Sequence, residues 1–304
     1  MDLKQIEIFI KVARLKSFSK AAEEIFLSQP AVSAQISSLE KELDSQLFNR
    51  SSKDIGLTEA GEAFLKYAIG IMNMFNSAIC TLSSLNDNIF GTLNLSVSTT
   101  PCNSIVPDLI KEFSETYPEV SFRILEQSSG DIIENILKFN CELGIVGSRV
   151  QNKGIECCRL IEDEIVIISN RELNIPSKVK IDDIVKYKFI MREGNSATRK
   201  KFEKALQDKG VDTNRLNVVC EINNLDALIK FVKAGIGIAA VSKNVCLDYI
   251  HDNNLVISEL KDLKIKRSIY LVKSLKRELT PTSRVFYDFC KEHFKNNSQL
   301  TIDK

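Results

Sequence analysis

Two short runs of hydroxyl side chains carry the clearest chemistry in this 304-residue chain. Ser98, Thr99 and Thr100 follow the alternating, strand-like segment Leu93-Asn94-Leu95-Ser96-Val97. Ser196 and Thr198 lie just beyond a second strand-like segment, KFIMR at 188–192. Each run stands where a strand ends and a helix opens. The first turn of a helix presents N–H groups without intrahelical partners and the positive end of the dipole, so it holds anions, and hydroxyls add donors. Either run alone is read at least as well as ordinary N-capping. Two of them, one in each half of the region after residue 90, predict a shared site for a small anionic ligand between two lobes.

Other chemistries fall away. The only histidines, His251 and His293, are far apart, which excludes a multi-histidine metal centre and leaves a Ser-His-Asp hydrolase without a motif. Neither a metal nor a cofactor is expected. Gly235-Ile236-Gly237 follows a helix and precedes a strand, the reverse of a dinucleotide fingerprint, and reads as a helix C-cap and tight turn. Eight cysteines contain no CxxC pair, so zinc-ribbon spacing is missing. Adjacent Cys157 and Cys158 read as small residues in a strand. Cys102 sits in a helical first turn, where a thiolate would be favoured; a redox sensor and a buried inert thiol are both readings, and the second is preferred. The net charge of +1 gives no general pull toward nucleic acid or membrane. The N-terminus lacks a basic and apolar leader, and no apolar run reaches membrane-span length, so a cytoplasmic protein with reduced thiols is expected.

The elements that position these residues fall into three zones. Residues 1–57 read as short helices broken by small polar turns. Leu3, Ile6, Phe9, Ile10 and Ala13 recur at helical spacing, and Ala21, Ala22 and Ile25 mark a second helix behind Ser17. Ser28 caps a third, with Pro30 in its first turn. Its apolar stripe is Val32, Ile36, Leu39 and Leu43, and its other faces carry Ala31, Ser33, Ala34, Gln35 and Ser38. Two short extended pieces around a polar tip follow. Three helices and a wing match a winged helix-turn-helix, although a plain three-helix bundle shares the periodicity. An amide such as Gln29 or Gln35 can pair with adenine, and Ala31 can touch a thymine methyl. Residues 1–60 hold eight basic and nine acidic side chains, so any DNA affinity must come from a local patch.

These residues carry a family resemblance. Phe9, the Ser17-Phe18-Ser19-Lys20-Ala21-Ala22 run, Leu27-Ser28-Gln29-Pro30-Ala31-Val32-Ser33, Leu39-Glu40, Leu47-Phe48, Arg50 and Leu57-Thr58-Glu59-Ala60-Gly61 resemble the DNA-binding region of the LysR-type transcriptional regulators. The match is ungapped over about 60 residues, far more specific than any single short motif. One departure stands out: the position after Ser33, often basic in that family, is Ala34 here. The expected DNA-binding set is Ser28, Gln29, Pro30, Ala31, Ser33, Ala34, Gln35 and Ser38 on the helix, with Arg50 and Lys53 in the wing.

The second zone opens on Thr58 as a cap, with Glu59 in the first turn. Apolar residues then recur at alternating steps of three and four, as in a coiled-coil seam. An ordinary core helix shares that pattern. The resemblance implies a dimerising linker helix, with Phe64, Ile71, Phe75, Ala78 and Leu82 at the interface. The third zone, from residue 90, alternates strands and helices in two halves. Strand connections near 162–168 and 264–270 suggest two lobes joined by crossovers. This more weakly resembles the same family's effector domain, itself similar to type II periplasmic binding proteins.

The expected organisation is therefore an all-α winged helix-turn-helix at 1–58, a linker helix at 59–89, and a two-lobed α/β effector domain at 90–304. Lobe I takes about 90–163 and 268–304, and lobe II about 164–267. The resemblance implies an effector set of Ser98, Thr99, Thr100, Ser148, Ser196 and Thr198. It also implies double-stranded operator DNA, a small-molecule effector, a homodimer or homotetramer, and RNA polymerase as partners, with no enzymatic activity. The runs at 19–33 and 98–113 look most like members tied to sulfur or selenium metabolism. The competing reading is a small-molecule-binding or transferase-like α/β protein whose N-terminal helices merely dimerise it.

Overall fold

A computed structural model describes residues 1–49, 55–84, 89–246, 249 and 254–297. It divides into two compact units, Met1–Asn88 and Ile89–Lys304. In the first, α1 (Leu3–Leu15) starts at a capping box in which Asp2 and Gln5 bond each other's backbone N–H. Helix α2 (Phe18–Glu24) is capped by Ser17, and α3 (Gln29–Glu42) by Ser28. Strands β1 (Phe48–Asn49) and β2 (Gly56–Leu57) pair antiparallel as the wing, and α4 (Glu59–Ser84) follows. The three-helix core holds fully buried Phe9, Val12, Ala21, Val32, Ile36 and Leu39. Glu40 ties α3 to the wing, because its carboxylate accepts from Leu47 N at 2.8 Å and Phe48 N at 3.2 Å. The hydroxyl of Thr58 accepts from Gly61 N at 3.0 Å, capping α4.

The second unit alternates strand and helix. In chain order it contains β3 (Gly91–Val97), α5 (Thr99–Cys102), α6 (Val106–Thr116), β4 (Val120–Glu126), α7 (Ser129–Leu137), β5 (Leu143–Val146) and the long β6 (Ile155–Asn170). Then come β7 (Lys178–Val179), α8 (Ile181–Ile184), β8 (Lys188–Arg192), α9 (Ala197–Gln207), β9 (Asn217–Ile222), α10 (Leu225–Lys233) and β10 (Ala239–Ser242). Helix α11 (Lys243–Cys246), β11 (Leu255–Leu260), β12 (Ile265–Ser274) and α12 (Pro281–Asn297) complete it.

Strands β4, β3 and β5 are parallel, and β12 and β6 continue that sheet antiparallel. Two separate sets of cores flank the β6–β12 ladder. One gathers residues of β3–β5, α6, α7 and α12, with Phe113 packed against Phe286 and Phe289 at ring separations of 5.1 and 5.3 Å. The other gathers β6 from Ile165, β8, α9, α10, β10 and β12 only at Ile265. The molecule's two lobes are thus strung on β6 and β12, each of which runs from one lobe into the other. The strand connections suggested by the sequence near 162–168 and 264–270 fall on these two strands, which are the longest of the sheet and lie at its centre. Gly235 sits at φ +74° directly after α10, the left-handed position that ends a helix.

Candidate functional site

In the first unit, α3 buries Val32, Ile36 and Leu39 and leaves Ser28, Gln29, Pro30, Ala34 and Ser38 exposed, with Ala31, Ser33 and Gln35 half-buried. One continuous face of small and amide side chains results. Gln29 Nε2 donates to Ser33 Oγ at 3.0 Å, one turn on, which holds the amide along the helix. Arg50 and Lys53 lie outside the described residues. Replacing Gln29 by alanine is expected to weaken binding to the cognate operator by about 1–3 kcal/mol while random duplex is barely affected. Gel retardation on both DNAs checks this, and equal losses would remove Gln29 from base readout.

Along α4, Ile71, Phe75, Ala78 and Leu82 are exposed, Leu82 by 66%. Phe64 differs. Its ring centroid lies 5.1 Å from that of Phe9, so it packs on the headpiece, half-buried, rather than standing exposed like the other four.

In the second unit, the two hydroxyl runs meet across a small polar crevice, open to solvent. Lobe I contributes Ser98, Thr99, Thr100, Gln127, Ser128, Ser129 and Gly147, and lobe II contributes Arg192, Glu193 and the 195–198 turn. Arg267 of β12 also lines it. Two arginines cross between the lobes. Arg192 is ion-paired with Glu193 at 2.8 Å and donates to Thr99 Oγ1 at 3.5 Å. Arg267 donates to Thr100 Oγ1 at 3.0 Å, to Thr198 Oγ1 at 2.8 Å and to Asp163 Oδ2 at 2.6 Å. Asp163 is fully buried and also accepts from Ser242 Oγ at 2.9 Å.

The expected capping holds only in part. Ser196 does cap α9, its hydroxyl accepting from Arg199 N at 3.4 Å. Ser98 occupies the cap position before α5 but makes no side-chain cap bond, and α5 is four residues long, too short to carry a useful dipole. Thr198 turns to Arg267 instead of to its own helix. Ser148 is exposed and does not line the crevice, because β5 ends at Val146 and the chain turns outward after Gly147. Sequence reasoning missed Arg192, Arg267 and the Ser128-Ser129 start of α7. The last could have been found by the rule that found the other two, since it follows the VSFRILE strand. Cys102 is half-buried, and burial together with Glu126 pushes its thiol above the ordinary value, so the thiolate suggested by its helical position is not favoured. Among the described residues no group of three or more His, Cys, Asp or Glu could hold a metal, and no helix is long and apolar enough to cross a membrane.

A DNA-reading headpiece joined to a two-lobed, crevice-bearing α/β domain defines a class of ligand-responsive DNA-binding proteins. Comparison places the chain within it. The profile described as "Bacterial regulatory helix-turn-helix protein, lysR family" matches residues 3–62, and "LysR substrate binding domain" matches residues 86–295. The chain belongs to the LysR family of transcriptional regulators. An uncharacterised HTH-type transcriptional regulator of Methanocaldococcus jannaschii is 34% identical over 286 residues, 93% of this chain and 96% of that one. Full-length CbnR, solved in complex with its target DNA, superposes with a TM-score of 0.67 at 19% identity, covering 98% of this chain and all (100%) of that one. The regulatory domain of Synechocystis CcmR, solved in complex with 2-PG, gives 0.62 at 24% identity over 68% of this chain and 98% of that domain.

Proposed function

We propose that this regulator binds its operator through the exposed face of α3 and answers to a small anionic effector held in the crevice between its lobes. The observation that carries the effector reading is the crevice itself. Hydroxyls from both lobes converge there with two buried arginines. An anion bridging the lobes would favour one lobe arrangement over others, and only such differential affinity can change how the protein presents its headpieces. Losing one hydroxyl bond to a charged ligand costs about 1.5–3 kcal/mol, more than tenfold in affinity. Thr100→Ala and Thr198→Ala should each lose at least that factor in calorimetric titration with the anion that best stabilises the wild type against heat. Wild-type affinity in both variants would place the effector elsewhere.

The exposed seam of α4 supports pairing of two chains, so that a dimer, or a dimer of dimers, reads two half-sites. Ile71→Glu puts a carboxylate into that seam, where burial without a partner costs several kcal/mol. Sedimentation should then show a smaller particle with weakened operator binding; an unchanged mass would remove α4 from the interface. The protein is read as a cytoplasmic regulator without catalytic activity of its own, in keeping with the family to which it belongs.

A further inference from the structure

The crevice read as an anion site carries an acid on its own lining. Its charged lining residues are Arg192, Glu193 and Arg267. Each arginine already has a carboxylate, and the two pairs are held very differently. Asp163 is 0% exposed at its side chain and lies directly opposite Arg267 across the β6–β12 ladder. It also accepts from Ser242 Oγ at 2.9 Å and Asn244 N at 3.5 Å. Arg267 in turn uses Nε on Asp163, Nη1 on Thr198 and Nη2 on Thr100. That pair is locked, and its charge is cancelled before any ligand arrives.

Glu193 is held by much less. Its side chain is 30% exposed, at the head of a turn whose next two residues, Gly194 and Asn195, are exposed. Among the described residues its carboxylate bonds Arg192 alone, Oε2 accepting from Nε at 2.8 Å and Oε1 from Nη2 at 3.0 Å. Arg192 does not depend on that contact. Its side chain is 7% exposed, and Nη2 also reaches Asn223 O at 3.3 Å and Thr99 Oγ1 at 3.5 Å. Its Nη1 has no partner among the described residues. A guanidinium holds an oxyanion most firmly through two parallel N–H bonds. While Glu193 is in place, an arriving oxyanion finds one free nitrogen and a like charge beside it. Once Glu193 turns to water, the same arginine offers a whole edge and an uncompensated charge, in surroundings where charge counts for more than in bulk water.

We propose that Glu193 is a built-in competitor for the effector: its carboxylate occupies Arg192 as a ligand oxyanion would, and the effector binds by taking Arg192 from it. The proposal rests on the reading of the crevice as the effector site. It makes Arg192 the residue that meets the ligand's charge, and Glu193 a positioning residue that acts through Arg192. The arrangement sets a threshold. A carboxylate tethered on the neighbouring residue competes at a fixed and high effective concentration. A simple anion is held off, and a ligand that also bonds the hydroxyls of both lobes displaces it.

Glu193→Gln keeps the shape and an acceptor oxygen and removes the charge. The probe is inorganic sulfate, titrated calorimetrically into the full chain. The variant should bind sulfate at least about tenfold more tightly than the wild type, a difference of about 1.4 kcal/mol. A purely structural role for Glu193 would lower the affinity or leave it unmoved. The gain must also run through Arg192. On an Arg192→Gln or Arg192→Met background, whichever folds, sulfate should bind more weakly than to the wild type. The same change at 193 should then alter the affinity by less than about threefold. Equal affinity of the wild type and Glu193→Gln for sulfate overturns the proposal. A tenfold gain that persists without Arg192 also overturns it, since that is plain repulsion between Glu193 and the ligand. Sulfate binding by none of these proteins overturns the reading of the crevice as an anion site, and the proposal with it.

Discussion

Replacing Asp163 by alanine is expected to lower the unfolding free energy of the effector domain by about 3–5 kcal/mol, because it leaves a buried charge without its counter-charge. Asp163 is 0% exposed at its side chain, and Arg267 is 3% exposed. Their ion pair at 2.6 Å anchors the network that also binds Ser242, Thr100 and Thr198. Taking out both partners is a different matter: Asp163→Ala combined with Arg267→Met should recover most of the loss, since a buried ion pair is commonly near neutral against apolar replacements of similar volume. Urea unfolding of the wild type, the single and the double variant measures this. A single variant within about 1 kcal/mol of wild type would show the pair to be better hydrated than its burial indicates.

Phe9→Ala should have an effect of similar size on the headpiece, about 3–5 kcal/mol. Phe9 is fully buried, with ring contacts to Phe48 of the wing at 5.4 Å and Phe64 of α4 at 5.1 Å. It therefore holds α1, the wing and α4 to one another. A domain of this size has few such residues to spare. The expected result is a headpiece that unfolds at much lower denaturant, with operator retardation lost and the effector domain's own transition unmoved. Retained retardation at wild-type strength would mean that the headpiece core repacks around the cavity.

The elements that repeat at a clear period are legible in the sequence itself. The stripe Val32, Ile36, Leu39 behind Ser28 marks α3, and KFIMR is β8, residue for residue. The hydroxyl runs were visible because they sit at strand-to-helix transitions. What the sequence hid was tertiary. Arg192 closes KFIMR and Arg267 follows Lys266 in β12, so the local pattern reads both as ordinary strand-end charges; their roles come from residues distant in the chain, Thr99 for Arg192 and Asp163, Thr100 and Thr198 for Arg267. Phe64 looked like part of the α4 seam because periodicity reports which face is apolar and not what covers it. Ser148 was expected only from the family resemblance, and beyond Gly147 it is exposed and off the crevice lining. Strands β7 and β11 were missed for a similar reason: β7 is two residues long, and β11 is identified by its pairing with β6 more than by its own composition.

The central claim is that an anion between the lobes changes operator binding. Coupling between two sites is reciprocal, so the two ligands must shift each other's affinity by the same factor. The direct measurement is the affinity of the full chain for the operator with and without saturating anion, set beside the affinity for the anion with and without saturating operator. The account predicts equal factors of about 5–150 in the two arms, reduced toward one in Thr198→Ala. An anion that binds in the crevice yet leaves operator affinity and footprint unchanged would contradict it.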